Sequence, residues 1–219
     1  MSNKTTTDNK TAETIQTYDL SAQSYQDKFM LMDLYDDTYN RFCELVKGSA
    51  PSILEIGTGP GNVTKYLLSQ RPDFEVVGID LAPQMIELAR QNNPQAEFTV
   101  MDCREILKLG RTFKGVICAF CLPYLSKEDG RELISNISQL LEPGGVLYIS
   151  TMEDDYAKSG YETTSFSGTN RVYVYYHQEK FIAGCLEESG FKIVDLQKKK
   201  YPEPDGSFLT DMIFIAQKK

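Results

Sequence analysis

The stretch Ile53-Leu-Glu-Ile-Gly-Thr-Gly-Pro-Gly-Asn62 decides how the rest of the chain is interpreted. Its apolar first half is typical of a buried strand, and the three glycines permit a tight turn and close approach of a ligand. A helical pattern follows over residues 63–68, so the stretch predicts a strand, a glycine turn and a helix. A dinucleotide fingerprint would place glycine at position 62, where this chain has asparagine, which argues against a nicotinamide cofactor.

On both sides of this stretch, apolar runs alternate with helical patterns. Strands are predicted over residues 74–79, 98–101, 115–120 and 146–150, and helices from Pro83, from the capping-box pattern Ser126-Lys-Glu-Asp129 and from Gln178. Runs 191–196 and 208–216 flank a Pro-Glu-Pro-Asp-Gly turn, which predicts an antiparallel hairpin. Strands that alternate with helices favour a mostly parallel sheet with ligands beyond its carboxyl edge. We therefore expect an α/β fold, a Rossmann-like three-layer sandwich.

Composition limits the classes of partner. The chain has 219 residues, 41% hydrophobic and 25% charged, which is typical of one globular core. With 23 Lys and Arg against 31 Asp and Glu, the formal charge of -8 opposes binding to a phosphate backbone. No apolar run approaches the roughly 18 residues of a membrane span, and residues 1–10 lack the apolar segment of a signal peptide. We expect a cytoplasmic protein with no nucleic-acid or membrane partner.

The five cysteines do not indicate a disulfide framework, because their number is odd and they are scattered. Cys118 and Cys121 have C-x-x-C spacing, but in an extended strand their Cα atoms would lie roughly 10 Å apart, beyond the roughly 7 Å limit for a bridge. Zinc would need four ligands, and the chain has one histidine and no second paired motif. We predict core cysteines and no metal site.

Asp80 follows the second predicted strand, 19 residues after Gly61. A carboxylate at this point of a Rossmann-like unit can accept hydrogen bonds from ribose hydroxyls, which favours a nucleoside ligand. The alternative is a carboxylate that only caps the next helix.

Five segments together resemble the class I S-adenosylmethionine-dependent methyltransferases of the small-molecule type. They are Leu54-Glu-Ile-Gly-Thr-Gly-Pro-Gly61, Val77-Gly-Ile-Asp-Leu-Ala-Pro-Gln-Met85, Met101-Asp-Cys103, Ala119-Phe-Cys-Leu-Pro-Tyr124 and Leu141-Glu-Pro-Gly-Gly-Val-Leu147. The resemblance implies a seven-stranded sheet of order 3-2-1-4-5-7-6 with an antiparallel last strand. It also implies S-adenosyl-L-methionine as cofactor, with S-adenosyl-L-homocysteine as product.

The same resemblance implies a set of cofactor contacts. The glycine turn would contact the methionine part, Asp80 the ribose and Asp102 the adenine amino group. Glu55 either organises the turn or lies near the cofactor amino group, and Met85 is either helix core or an adenine contact. The full set of predicted cofactor-binding residues is Glu55, Gly57, Thr58, Gly59, Gly61, Asp80, Leu81, Met85, Asp102, Cys103 and Phe120.

We predict a division into a disordered tail (1–10), an N-terminal helical lid (11–47) and a methyltransferase domain (48–219). Within that domain, residues 152–176 are too many for an ordinary crossover and predict an insertion over the acceptor. Its aromatic residues suit a small, partly apolar acceptor, although such residues also pack against sheets. The predicted acceptor contacts are Tyr124, Tyr173 and Tyr175.

The predicted function is methyl transfer to a small molecule by in-line displacement, for which alignment of the reactants matters more than a general base. His177 and Tyr25 are the candidates for a catalytic role, each with ordinary packing as the alternative. A second hypothesis is a non-catalytic module that binds S-adenosylmethionine or a nucleoside and regulates a partner. A monomer and a homodimer both fit the sequence.

Overall fold

Seven strands form one sheet in the computed structural model, which describes residues 2–164, 166–203 and 206–219, with side chains from Asn9 onward. The strands of the described chain are β1 (Ser52–Ile56), β2 (Glu75–Asp80), β3 (Glu97–Val100), β4 (Phe113–Ala119), β5 (Leu141–Met152), β6 (Gly160–Thr163), β7 (Arg171–Val174), β8 (Phe191–Pro202) and β9 (Phe208–Lys218). The sheet has the order β3-β2-β1-β4-β5-β9-β8, and β6 pairs only with β7. Counted within the sheet, this is the predicted order 3-2-1-4-5-7-6.

The directions of the strands also agree with the prediction. Strands β1 to β5 pair in parallel, with Leu54 opposite both Val77 and Val116. Strand β9 runs antiparallel to β5 and β8, which confirms the predicted C-terminal hairpin. Pro204 and Asp205 of its predicted turn lie outside the described residues.

Helices cover both faces of the sheet. They are α1 (Ser2–Leu20), α2 (Ala22–Phe29), α3 (Asp36–Leu45), α4 (Asn62–Gln70), α5 (Pro83–Asn92), α6 (Lys127–Leu140) and α7 (Glu179–Glu188). The alternation of side chains along β1 divides the core, because Ile53 packs with α3 and α4 whereas Leu54 packs with α6 and α7. The Ser126 cap of α6 is confirmed, since the Asp129 N–H donates to Ser126 Oγ at 3.1 Å. In the described part of the chain, no helix combines the length and apolarity required to cross a bilayer.

The N-terminal segment differs from the prediction. Helix α1 begins at Ser2, so residues 2–10 are helical where the sequence predicts a disordered tail; Met1 lies outside the described residues. The second half of α1 is anchored, because the Thr17 hydroxyl donates to the Arg171 carbonyl at 2.7 Å. An anchored helix extends easily, since each further residue adds one backbone hydrogen bond.

The 152–176 insertion contains a two-stranded sheet, here called the lid hairpin (β6 and β7, with Ser165 outside the described residues). Tyr161 pairs with Tyr173 in an antiparallel register. The hairpin joins α1 through a clasp of three polar contacts: the Thr17 bond, a Tyr173 N–H donated to Thr14 Oγ1 at 3.0 Å, and a Glu13–Arg171 ion pair at 2.6 Å. Helix α1 and the lid hairpin therefore form one roof.

Candidate functional site

The glycine turn lies at the carboxyl end of β1, where a parallel sheet presents its ligand site. Gly57, Gly59 and Gly61 all have positive φ angles of 72°, 53° and 79°, a conformation that other residues rarely adopt. The N–H groups of Gly57 and Thr58 both donate to the Ile79 carbonyl at 2.9 Å. A Cβ on Gly57 would lie 3.0 Å from the Cβ of Cys121, so the turn is closely packed on its inner side.

Glu55 organises this turn from below. Its side chain is 1% exposed and accepts hydrogen bonds from the Thr58 hydroxyl, at 2.8 Å, and from the Thr64 hydroxyl of α4. Burial raises the pKa of Glu55 to about 7, against the lowering effect of these two hydrogen bonds. Of the two roles predicted for Glu55, its contacts support the organising one.

Asp80 connects the turn with the start of α5. Its carboxylate accepts the Gly59 N–H through Oδ2 and the Ala82 N–H through Oδ1, each at 2.9 Å. Burial raises the pKa of Asp80, while these backbone bonds act in the opposite direction. Two carboxylate oxygens can accept about four hydrogen bonds, so the group keeps capacity for a ligand hydroxyl.

A cavity, here called the first chamber, opens beyond the turn and Asp80. Eight of the eleven predicted cofactor residues line it: Gly57, Gly59, Asp80, Leu81, Met85, Asp102, Cys103 and Phe120. Met85 also packs with Ala22 and Ala82, as its predicted helix-core role requires, and its adenine contact stays a prediction. Three predicted residues do not line this chamber. Thr58 is buried beneath the turn, Gly61 packs against Asn93, and Glu55 faces a second cavity.

The far end of the first chamber contains Asp102 and two thiols. Although burial raises the pKa of Asp102, hydrogen bonds from Arg104 outweigh it and hold the pKa below its usual value. The chain turns at Phe120, whose φ is 55°, so Cys121 leaves the extended path that the sequence predicts. The Cys121 thiol contacts those of Cys103 and Cys118, and all five cysteines of the chain are free.

The second chamber adjoins the first and has an aromatic and acidic lining. The two chambers share seven residues at their junction: Tyr18, Tyr25, Gly57, Gly59, Ala119, Phe120 and Tyr124. The other described residues of the second chamber include Phe29, Tyr35, Tyr39, Glu55, Glu162, Phe166, Val174, Tyr201, Glu203 and Asp211. The two chambers therefore meet beside the glycine turn.

The lid hairpin contributes to both chambers. Tyr173 and Tyr175, predicted as acceptor contacts, line the first chamber, whereas Val174 lines the second. Successive side chains of a strand point to opposite faces, which explains this division. Tyr124 lines both chambers, and its hydroxyl is hydrogen-bonded to that of Tyr18.

The two catalytic candidates have different positions. His177 is 0% exposed and lines neither chamber; its Nε2 lies 3.1 Å from the Leu122 carbonyl oxygen and its ring stacks on Phe181. Burial lowers the pKa of His177, which favours the neutral ring. This placement supports its packing role and not the catalytic one. Tyr25 lies at the junction of the chambers, 4.5 Å from Phe29 between ring centroids.

Several lining residues were not predicted. Lys10, Thr14, Ile15 and Tyr18 reach the first chamber from α1, where the sequence shows only a weakly patterned helix. Asp211 reaches the second chamber from β9. A lone carboxylate within the apolar run 208–216 was a signal that could have indicated Asp211.

Several known proteins resemble this chain in sequence. Residues 53–145 match the family model described as a methyltransferase domain. An uncharacterized methyltransferase of Alkaliphilus oremlandii is 26% identical over 137 residues, which are 61% of this chain and 62% of that protein. A malonyl-acyl-carrier-protein O-methyltransferase of Acetivibrio thermocellus is 34% identical over 110 residues, 49% of this chain and 38% of that protein. The chain thus spans less than two thirds of the length of either relative.

The fold has a counterpart among solved structures. The magnesium protoporphyrin IX methyltransferase of Synechocystis PCC 6803, crystallised with S-adenosylmethionine, superimposes with a TM-score of 0.63. The alignment covers 88% of this chain and 85% of that one, at 19% sequence identity. At this identity the similarity concerns the fold.

Proposed function

We propose that this chain, which belongs to the class I methyltransferases through its domain at residues 53–145, transfers the methyl group of S-adenosylmethionine to a small-molecule acceptor. The observation that carries this proposal is the junction of the two chambers beside the glycine turn. A methyl transferase needs its donor and acceptor in contact at one point, and the junction offers such a point. The acceptors named for two of the compared proteins are a malonyl group on a carrier protein and magnesium protoporphyrin IX.

The lining of the first chamber suits S-adenosylmethionine in its polarity. Gly57 and Gly59 leave the backbone open to the methionine part, because neither presents a side chain. Asp80 offers acceptor oxygens for ribose hydroxyls, and Asp102 offers them for the adenine amino group. Leu81, Met85 and Cys103 provide apolar surface for the adenine ring.

When bound, S-adenosylmethionine supplies an activated methyl group, and its departing sulfur becomes a neutral thioether that needs no acid. The chain's task is then to align the reactants and exclude water. Alignment can contribute roughly 7 to 11 kcal/mol, whereas a general base contributes about 10² to 10⁴-fold. Tyr18, Tyr25, Phe120 and Tyr124 surround the junction and restrict both ligands there.

The hydroxyl of Tyr124 is the polar group best placed to orient the acceptor. Burial raises the pKa of Tyr124 to about 12, so the hydroxyl stays protonated at neutral pH. It forms a hydrogen bond with the Tyr18 hydroxyl of the roof. An acceptor atom near the junction would therefore find a neutral hydrogen-bonding group and no strong base.

Isothermal titration calorimetry tests the proposal before any acceptor is known. We expect S-adenosylmethionine and S-adenosylhomocysteine to bind with affinities on the order of micromolar. NAD should not compete, because the turn has Asn62 where a dinucleotide fingerprint has glycine. Tight binding of NAD without any response to S-adenosylhomocysteine would overturn the proposal.

A further inference from the structure

Asp211 is a buried carboxylate without a cationic partner. It lies on β9, is 3% exposed and lines the second chamber. The Tyr35 hydroxyl donates to its Oδ2 at 2.5 Å. Among the described residues no basic side chain pairs with it: Lys199, its register partner on β8, binds Asp37 at 2.6 Å. Burial of a carboxylate is costly unless a cation or several hydrogen bonds compensate it.

The second chamber as a whole is acidic. Glu55, Glu162, Glu203 and Asp211 line it, and none of its described lining residues is Lys, Arg or His. Glu55 is bound by two threonine hydroxyls, and Glu162 accepts the Tyr176 hydroxyl at 2.8 Å. An anionic acceptor would therefore meet repulsion here without a compensating charge.

The Tyr35 ring, whose hydroxyl donates to this carboxylate, has two aromatic neighbours. The Tyr35 ring lies 5.1 Å from that of Phe120 and 6.4 Å from that of Tyr39, between centroids. Ring faces attract cations, most strongly where water is excluded. Phe120 belongs to the junction, so the Tyr35 side chain that contacts Asp211 also contacts a residue at the point where the chambers meet.

From this arrangement we infer that the second chamber binds its acceptor through a protonated amino group, which pairs with the Asp211 carboxylate among the rings of Tyr35, Tyr39 and Phe120. This inference specifies the chemical class of the acceptor. It rests on the proposed function only in treating the bound amine as the methyl acceptor. The amino group is the part by which the molecule is held. The aromatic walls would contact its apolar part.

The ionisation of Asp211 gives amine binding a pH dependence. Burial raises the pKa of Asp211 to about 6, while the Tyr35 hydrogen bond opposes this effect. The other ionisable groups near it are Glu203 after β8, Tyr148 on β5 and Lys199 on β8, the last bound to Asp37. Because the carboxylate must be charged to pair with an ammonium group, amine affinity should rise as pH increases through about 6.

The test is calorimetry on the full chain with matched pairs of probes that differ in charge. Tyramine is compared with 3-(4-hydroxyphenyl)propionate and hexylamine with heptanoate, each with S-adenosylhomocysteine saturating and again without it. We expect the amines to bind and the acids not to bind. Asp211→Asn should weaken amine binding at least tenfold and leave the affinity for S-adenosylhomocysteine unchanged, because Asp211 does not line the first chamber.

Two further variants separate the subsite from a structural role of Asp211. Asp195→Asn, on the neighbouring strand β8, removes a carboxylate that does not line the chamber and should leave amine binding unchanged. Tyr35→Phe keeps the Asp211 carboxylate but removes its hydrogen bond, so the pH midpoint of amine binding should move upward. A purely structural Asp211 would give no such movement.

Three results would overturn the inference: acids that bind as well as the amines, no binding of either amine, or an amine affinity that Asp211→Asn and Tyr35→Phe leave unaltered at every pH. Failure of the proposed function is a separate result. In that case S-adenosylhomocysteine does not bind, whereas amine binding to the second chamber is still measurable without it.

Discussion

At the scale of single residues, the ionisation of Glu55 beneath the glycine turn makes the stability of the folded chain depend on pH. Its pKa in the folded chain, about 7, lies above the ordinary value of 4.5, so the folded state binds a proton more tightly than the unfolded state. The contribution of this group to the free energy of unfolding is therefore fully present below pH 4.5 and is lost as pH rises through about 7. Glu55→Gln keeps an oxygen that accepts from Thr58 and Thr64 but carries no charge.

We expect Glu55→Gln to equal the parent protein in stability at pH 4 and to exceed it at pH 8, by on the order of 3 kcal/mol at most. Urea unfolding at the two pH values measures this difference. Asp211 has a raised pKa as well, but it is present in both proteins and cancels in the comparison. Glu75→Gln, at the exposed start of β2, is the control that should show no gain at pH 8. Equal stability of Glu55→Gln and the parent at pH 8 would contradict the prediction.

Asp80 and Asp102 should differ in their importance for cofactor binding. Asp80→Ala removes a partly buried carboxylate beside the turn, and a charge-assisted hydrogen bond contributes about 1.5 to 3 kcal/mol, so affinity for S-adenosylhomocysteine should fall at least tenfold. Asp102→Ala should have a smaller effect, because Arg104 already occupies much of that carboxylate. Titration calorimetry ranks the two, with Asp33→Ala as an exposed control. A reversed ranking would assign the ribose role elsewhere.

The residues that sequence reasoning could locate have a common property. Asp80 and the glycines lie within a few residues of a strand end, so local order along the chain determines where they point. Asp211 lies within a strand, and its neighbour Tyr35 is 176 positions away in sequence. No local pattern encodes such a pair, because it depends on how β9 and the segment before α3 pack in three dimensions.

At the scale of elements, the two faces of the lid hairpin should serve different ligands. Side chains on one face line the first chamber, and those on the other face line the second. Tyr173→Ala, on the face towards the first chamber, should weaken S-adenosylhomocysteine binding several-fold through loss of a ring contact. Glu162→Gln, on the face towards the second chamber, should leave that affinity unchanged and weaken tyramine binding. Calorimetry with both ligands compares the two variants. Equal loss of both ligands in either variant would contradict the separation.

The centre of the sheet could be predicted from sequence because β1, β2 and β4 are short, largely buried apolar runs between turns. The lid hairpin could not, because β6 and β7 have mixed polar and aromatic residues and are half exposed. Such a pattern fits a strand, a loop or a packing surface equally well. The early part of α1 was missed for a similar reason, since it has no apolar stripe and takes its order from the anchored half.

At the scale of the whole molecule, α1 should be required for ligand binding but not for the fold. Deletion of residues 2–20 removes Lys10, Thr14, Ile15 and Tyr18 from the first chamber, yet the sheet and its two faces of core remain. We expect cooperative unfolding to persist and S-adenosylhomocysteine affinity to fall at least tenfold. Thermal unfolding and calorimetry measure the two properties.

Deletion of residues 2–8 is the matched control, because the chamber-lining side chains that the structure describes on α1 begin at Lys10. It should leave the affinity unchanged. Loss of cooperative unfolding after the longer deletion would instead show that α1 belongs to the folding core. An unaltered affinity after the longer deletion would remove α1 from the cofactor site.

The lining of the two chambers limits what similarity to a known protein can reveal. Most residues of the first chamber fall within the 53–145 segment that the family model recognises, whereas most residues of the second lie outside it, on α2, the lid hairpin and the C-terminal strands. The family signature therefore covers mainly the first chamber and leaves most of the second chamber outside it. Similarity over this segment bears on the proposed donor site and says little about the acceptor. Two proteins that share the segment can therefore differ in most of the residues that line the second chamber.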